Sequence, residues 1–188
     1  MEYHNPVLLT ETVDGLNIKE DGIYVDVTFG GGGHSKEILK RLGSKGKLFA
    51  FDQDLDALEN TIDDARFTLI NENFRYVKRF LRFHGIKKVD GILADFGVSS
   101  HQFDVAKRGF STRFEADLDM RMNQQNKLSA FHVVNEYEEE QLKQVFLRYG
   151  ELRAAPAMAR LIVEYRNIEP IITSEQLKAV LRKFLPPR

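Results

Sequence analysis

The sequence contains no cysteine, which excludes a disulfide framework, a thiol nucleophile and any thiolate metal site. A chain of 188 residues needs no such help, because that length can bury a real core as one domain or one domain with an appendage. The absence suits a reducing compartment, and a cytoplasmic location is expected. No apolar run approaches the roughly 20 residues needed to span a bilayer. The N-terminal stretch MEYHNPVLLTET lacks the charged-then-apolar layout of a secretory signal, so no membrane role is expected. Positive charge is not in excess either. The formal net charge is -1, so any nucleic-acid contact must come from local basic patches. Internal repeats and low-complexity tracts are also missing.

What is present begins with alternation. Strand-like runs at GIYVDVTF (22–29), KLFAFDQD (47–54), FTLINENF (67–74) and VDGILADFG (89–97) are separated by helix-period segments. The first helical segment carries Ile38, Leu39 and Leu42 on one face and stops at Gly43. The second repeats Leu55, Leu58 and Ile62, and the third, YVKRFLRFHG, closes at Gly85. This order predicts an α/β fold of the Rossmann-like class, with about four parallel strands covered by helices on both faces.

Beyond Asp104 the character changes. Residues 105–127 show no sustained periodicity, mix both charge signs, and read as an ordered loop or lid. Residues 128–188 read as helices only. The first holds Leu128, Phe131 and Val134, and the next runs from near Asn135 to Tyr149 with Gly150 as its stop. A third has Pro156 in its first turn, and a fourth opens on Thr173 and Gln176 in capping-box spacing. The expected organisation is therefore 1–104, 105–127 and 128–188. Four strands followed by a helical appendage make an incomplete doubly wound sheet.

The stretch VDVTFGGGGHS (25–35) carries the functional signal. Glycine after a first strand reaches positive φ and lets a ligand approach the main chain, and the helix that follows offers unpaired N–H groups. A strict dinucleotide fingerprint would have a third glycine where Ser35 stands, which weakens the case for a pyrophosphate. Asp52 closes the second strand 22 positions after Gly30, where an acid that holds a ribose is expected. Asp26, Asp52 and Asp95 at three strand ends favour a cationic sulfonium nucleoside, S-adenosylmethionine, over a pyrophosphate cofactor. The plain alternative is a tight turn, with Asp52 capping the next helix.

HNPVLLTE, VDVTFGGGGHS, DGILADFGVSSHQFD, RGFS and LDMRM occur in that order. Together they resemble the bacterial S-adenosylmethionine-dependent family that methylates the N(4) amine of a cytosine in 16S ribosomal RNA. The resemblance implies a Rossmann-like class I methyltransferase sheet with an inserted all-helical domain. It also implies S-adenosylmethionine as cofactor, 16S ribosomal RNA within the small ribosomal subunit as partner, and no metal. The family resumes its sheet after the insertion, so the resemblance implies that the C-terminal part of the fold is lacking here. Carried over by motif, Gly32, Gly33 and His34 line the cofactor's amino-acid portion and Asp52 holds its ribose. Phe74 packs on adenine, and Asp95 and Gln102 make the remaining contacts.

Each of these residues also has a plain reading: His34 as a helix cap, Phe74 as core, Gln102 as a solvated loop residue. Asp95 has the weakest such reading, because a carboxylate at a buried strand end needs a partner. Asp95 is the candidate catalytic residue, accepting a hydrogen of the cytosine amine, although DFGV departs from the Pro-Pro-aromatic signature usual in amino-methyltransferases. Two basic surfaces could meet RNA: Arg75, Lys78, Arg79, Arg82, Lys87 and Lys88, or the loop bearing Lys107, Arg108, Arg113 and Arg121 with Phe110 and Phe114. The rival readings are an NAD-dependent oxidoreductase on the same fold and a non-catalytic RNA-binding module.

Overall fold

The computed structural model describes residues 6–185. They fall into two compact units, the first running to Ser100 and taking in Met122–Gln124, the second comprising His101–Arg121 and the chain from Gln125 onward.

The first unit is built on four parallel strands: β1 (Ile23–Asp26), β2 (Lys47–Phe51), β3 (Phe67–Ile70) and β4 (Gly91–Leu93), in the order β3-β2-β1-β4. Alternating side chains divide β1 and β2 between two cores. Tyr24 and Leu48 pack with Val13, Ile38, Leu39 and Leu42, which come from helices α1 (Leu9–Gly15) and α2 (Gly33–Arg41) and from the residue after α2. Val25, Phe49 and Phe51 pack with Ile70 and with Leu81 of α3 (Val77–Phe83) on the opposite face. Burial on both faces explains why these strands read as nearly continuous apolar runs.

The second expected helix is not an α-helix. Leu55–Asn60 forms a 3-10 turn whose Asp54 side chain accepts from the Asp56 N–H. Thr61 then leaves helical space at φ -48 and ψ 147. Acceptor-rich Asp54 and Asp56 and β-branched Thr61 and Ile62 compete with helix at both ends, and the apolar spacing does not overcome them.

The second unit begins with α4 (Ser100–Asp104), whose first residue still belongs to the first unit. It continues with α5 (Ala130–Glu136), α6 (Glu139–Arg148), α7 (Ala155–Arg166) and α8 (Ser174–Val180). The single helix expected over 135–149 is instead broken at Tyr137–Glu138. There Glu138 forms a capping box with Gln141, whose Oε1 accepts the Glu138 N–H at 2.8 Å. Leu128 precedes the Ser129 cap of α5 and is exposed. Pro156 sits in the first turn of α7, and Thr173 and Gln176 cap α8 reciprocally. Leu118, Val134, Leu142, Met158, Ile162 and Ile171 form the centre of this unit's core. None of the helices among the described residues is long and apolar enough to cross a membrane.

Ile162 is fully buried on α7. Ile162→Ala is expected to destabilise the second unit by about 2–5 kcal/mol through lost burial and a residual cavity. Urea unfolding followed by circular dichroism measures this, and an unchanged midpoint would show that the cluster is not a cooperative core.

Candidate functional site

Parallel strands with level register bring their C-terminal ends to one edge. Asp26 of β1 lies beside Ala50 of β2 and Leu93 of β4. β1 has a neighbour on each side and its successive crossovers diverge there, so the crevice beyond its end is the switch point where ligands of open α/β sheets bind.

The glycine loop rises from this point and is held by side chains. Gly30 has φ +51, its N–H donates to Asp52 Oδ2 at 2.8 Å, and its carbonyl accepts from Asn60 Nδ2 at 3.1 Å. A Cβ built on Gly30 would meet nothing within 4 Å, so the loop presents bare main chain beside open space. Gly32, at φ +76, turns against the Phe29 ring, which a Cβ would meet at 2.9 Å. A Cβ on Gly33 would strike the Pro6 ring. Of the four glycines, Gly30 therefore supplies open access, while Gly32 and Gly33 allow close packing.

Asp52 is partly buried. Its second oxygen accepts the Asp54 N–H at 2.9 Å, and Asn71 holds its backbone carbonyl at 2.8 Å. Burial raises its pKa most strongly, opposed by the N–H groups of Asp54 and Gly30. Capping of the next turn falls to Asp54, not Asp52. Each oxygen of Asp52 keeps a lone pair for an outside hydroxyl.

His34 is 6% exposed, and its Nε2 has no hydrogen-bond partner among the described residues. It does not cap α2, whose N-cap position is Gly32 and carries no side-chain cap. A buried polar atom left alone is costly unless something occupies the space it faces. Phe74 is not core: it is 40% exposed, and its ring lies 5.5 Å from that of Phe96, itself 71% exposed. Asp95 is exposed and lies beyond the end of β4, so the burial expected of it is not found. Its N–H donates to Thr28 Oγ1 at 2.8 Å, which ties the end of β4 to the end of β1 across the switch point. Gln102 is buried on α4 in the second unit, contrary to its reading as a solvated loop residue. Among the described residues, no group of three or more His, Asp or Glu could hold a metal ion.

Sequence reasoning named Asp26 without seeing its role. The side chain is fully buried, with Oδ2 accepting from Ser35 Oγ at 2.8 Å and Oδ1 from the Thr28 N–H at 3.0 Å. Ser35, which departs from the dinucleotide fingerprint, is thus the anchor joining the start of α2 to the end of β1. Asn60, which braces the glycine loop, and Asn71, which holds the Asp52 and Asp54 carbonyls, carried no signal beyond being polar residues near strand ends.

Burial raises the Asp26 pKa more than Ser35 and Thr28 lower it. With its folded-state pKa above the unfolded one, the stability this carboxyl contributes is fully present below the unfolded value. It is lost as pH climbs through the folded value. Asp26→Asn can keep both hydrogen bonds without the charge. It should unfold at a temperature equal to or above that of the parent near about pH 7.5, with the gap closing towards about pH 4. Asp26→Ala, which strands Ser35 and Thr28, should be less stable at every pH. Thermal melts across this range provide the check, and a gap independent of pH would contradict the assignment.

The sequence matches the MraW methylase family over residues 1–188. It is 73% identical over 188 residues to the Ribosomal RNA small subunit methyltransferase H of Flavobacterium johnsoniae, covering 100% of this chain and 62% of that protein. To the protein of the same name from Christiangramia forsetii it is 74% identical over 185 residues, covering 98% and 61%. The counterpart from Bacteroides thetaiotaomicron is 54% identical over 182 residues, covering 97% and 60%. The chain thus spans about three fifths of the length of these curated relatives. With the match extending from the first residue to the last, the chain belongs to the MraW methylase family.

Proposed function

We propose that this chain carries the donor site of an S-adenosylmethionine-dependent methyltransferase that modifies the N(4) amine of a cytosine in 16S ribosomal RNA of the small ribosomal subunit, in the cytoplasm. The observation that carries the reading is the bare Gly30 main chain, open to its surroundings, with the Asp52 carboxylate hydrogen-bonded to it. The residues suit a cationic nucleoside. Asp52 would accept ribose hydroxyls, Phe74 would offer its half-exposed ring to adenine, and Gly32, Gly33 and His34 would line the amino-acid end. The bound donor supplies an electrophilic methyl group. Asp95, exposed at the end of β4, would accept one hydrogen of the target amine and so hold its lone pair out of conjugation with the ring.

Family membership supports this reading over the nicotinamide alternative. So does Ser35, whose hydroxyl is committed to Asp26 at the position where a dinucleotide turn wants glycine.

Calorimetric titration tests the proposal. S-adenosylmethionine should bind the chain and NAD should not. Asp52→Asn and Phe74→Ala should each weaken binding by about tenfold or more, roughly 1.4 kcal/mol. Phe74 lies outside the core, so its variant separates lost contact from lost fold. Absence of heat with the methyl donor, or equal binding of NAD, would remove the reading.

A further inference from the structure

Thirteen lysines and arginines belong to the first unit, and six of them crowd into residues 75–88. Arg75, Lys78, Arg79 and Arg82 lie on the 3-10 turn and helix α3, with Lys87 and Lys88 just beyond, and all six are exposed. Helical spacing at 75, 78, 79 and 82 groups the first four on one side, while Val77, Phe80 and Leu81 face the sheet. Among the described residues, none of the six forms an ion pair. The unit's two other arginines, Arg41 and Arg66, both hold carboxylates. The acids nearest in sequence are Glu72 and Asp90, and Asp90 is paired with Lys19. Tyr76 and Phe83 are exposed along the same segment, with the Arg75 guanidinium 5.9 Å from the Tyr76 ring centre.

The rival basic loop is differently disposed. Arg108 is fully buried and donates to the Arg121 carbonyl at 3.1 Å. Arg121 grips Asp119 through Nη2 at 2.6 Å and Nε at 3.0 Å, and Arg113 lies 3.6 Å from Asp104. Those arginines organise their own unit and leave little free charge for a polyanion.

We infer that the α3 face, centred on Lys78, Arg79 and Arg82, is the surface on which the phosphate backbone of the RNA substrate docks. The inference rests on the function proposed above and specifies where on the chain the substrate is gripped. Unpaired cations can neutralise phosphates and release the counterions condensed on the RNA, and neighbouring exposed aromatics suit unstacked bases. A face of this charge raises the encounter rate with RNA despite a net charge of -1 overall.

The test is fluorescence anisotropy with a labelled single-stranded RNA of about 16 nucleotides, titrated at several salt concentrations. Arg79→Ala/Arg82→Ala keeps good helix formers on a solvent face, so folding should be preserved. It should weaken binding about 20-fold at about 0.1 M salt and reduce the salt slope by about 1.4, as expected for two lost phosphate contacts. Lys45→Ala/Lys47→Ala removes the same charge from exposed positions elsewhere in the unit and should change affinity less than about threefold. Equal losses in the two double variants, an unchanged slope, or no RNA binding by the parent chain would overturn the inference. So would capture by phosphatidylglycerol vesicles that the Arg79/Arg82 variant loses while RNA binding stays intact. Calorimetry with S-adenosylmethionine on the same variants keeps the two proposals apart. Donor binding by the parent with RNA affinity unchanged in Arg79→Ala/Arg82→Ala rejects the docking face alone, whereas absence of donor binding by the parent rejects the donor site.

Discussion

The hydrogen bond from the Gly30 N–H to Asp52 is the constraint on which the candidate site depends. A residue at φ +51 with no side chain has many alternative conformations, and only fixed partners confine it. Asp52 holds its N–H and Asn60 its carbonyl, so both polar groups of one peptide segment are pinned from the β2 side. That pinning works because β1 and β2 run parallel and level, with Asp26 opposite Ala50, so the chain leaves both strands at the same height. The carboxylate that shapes the loop is also the one proposed to meet the ribose. A change at Asp52 therefore alters the loop and the proposed contact together, which is why the exposed Phe74 is the cleaner probe of contact.

Behind this lies a second carboxylate with a different task. Asp26 is fully buried, and its two oxygens join Ser35 of α2 to Thr28 of the glycine approach. Thr28 in turn receives the Asp95 N–H. A chain of polar contacts thus runs from the start of α2, through the end of β1, to the segment after β4. The hydrogen bonds from Ser35 and Thr28 favour negative charge at Asp26, while burial disfavours it. Burial wins, and the pKa is raised. The site thus has one acid sealed from water, Asp26, and one partly open to it, Asp52.

The parallel sheet was legible because burial on both faces forces continuous apolar runs, and four such runs are visible by eye. Helix existence was legible from spacing, but helix type was not. Leu55, Leu58 and Ile62 have the right period, yet Asp54, Asp56 and Thr61 set local hydrogen bonds that a periodic template ignores. The break at Tyr137–Glu138 escaped for the same reason, since Glu138 and Gln141 read as ordinary helix formers until they are seen capping one another. At the site, the glycines and Asp52 stand out in sequence because bare backbone and a strand-end acid are unusual together. Asp95 misled in one respect: β4 is only three residues long, so a position read as a buried strand end lies outside the strand and in water. The serine at position 35 counted as a defect in a phosphate motif, whereas its hydroxyl is a structural bond to Asp26.

Phe74 and Phe96 form an aromatic pair that the cores leave exposed. Phe74 and Phe96 stack at 5.5 Å with a 44° tilt, yet 40% and 71% of their surfaces face water. Burying a phenylalanine fully is worth about 1.5–3 kcal/mol, so the protein forgoes a good part of that twice, at adjoining positions after β3 and β4. A folding requirement does not account for this, because neither ring belongs to the sheet's apolar cores. Two rings held against each other keep one another's rotamers restricted and present a rigid apolar face at little entropic cost. A flat heterocycle is the shape that such a face receives best. That is the adenine contact proposed for Phe74, whereas the α3 cations, which form no ion pair among the described residues, are proposed for phosphates.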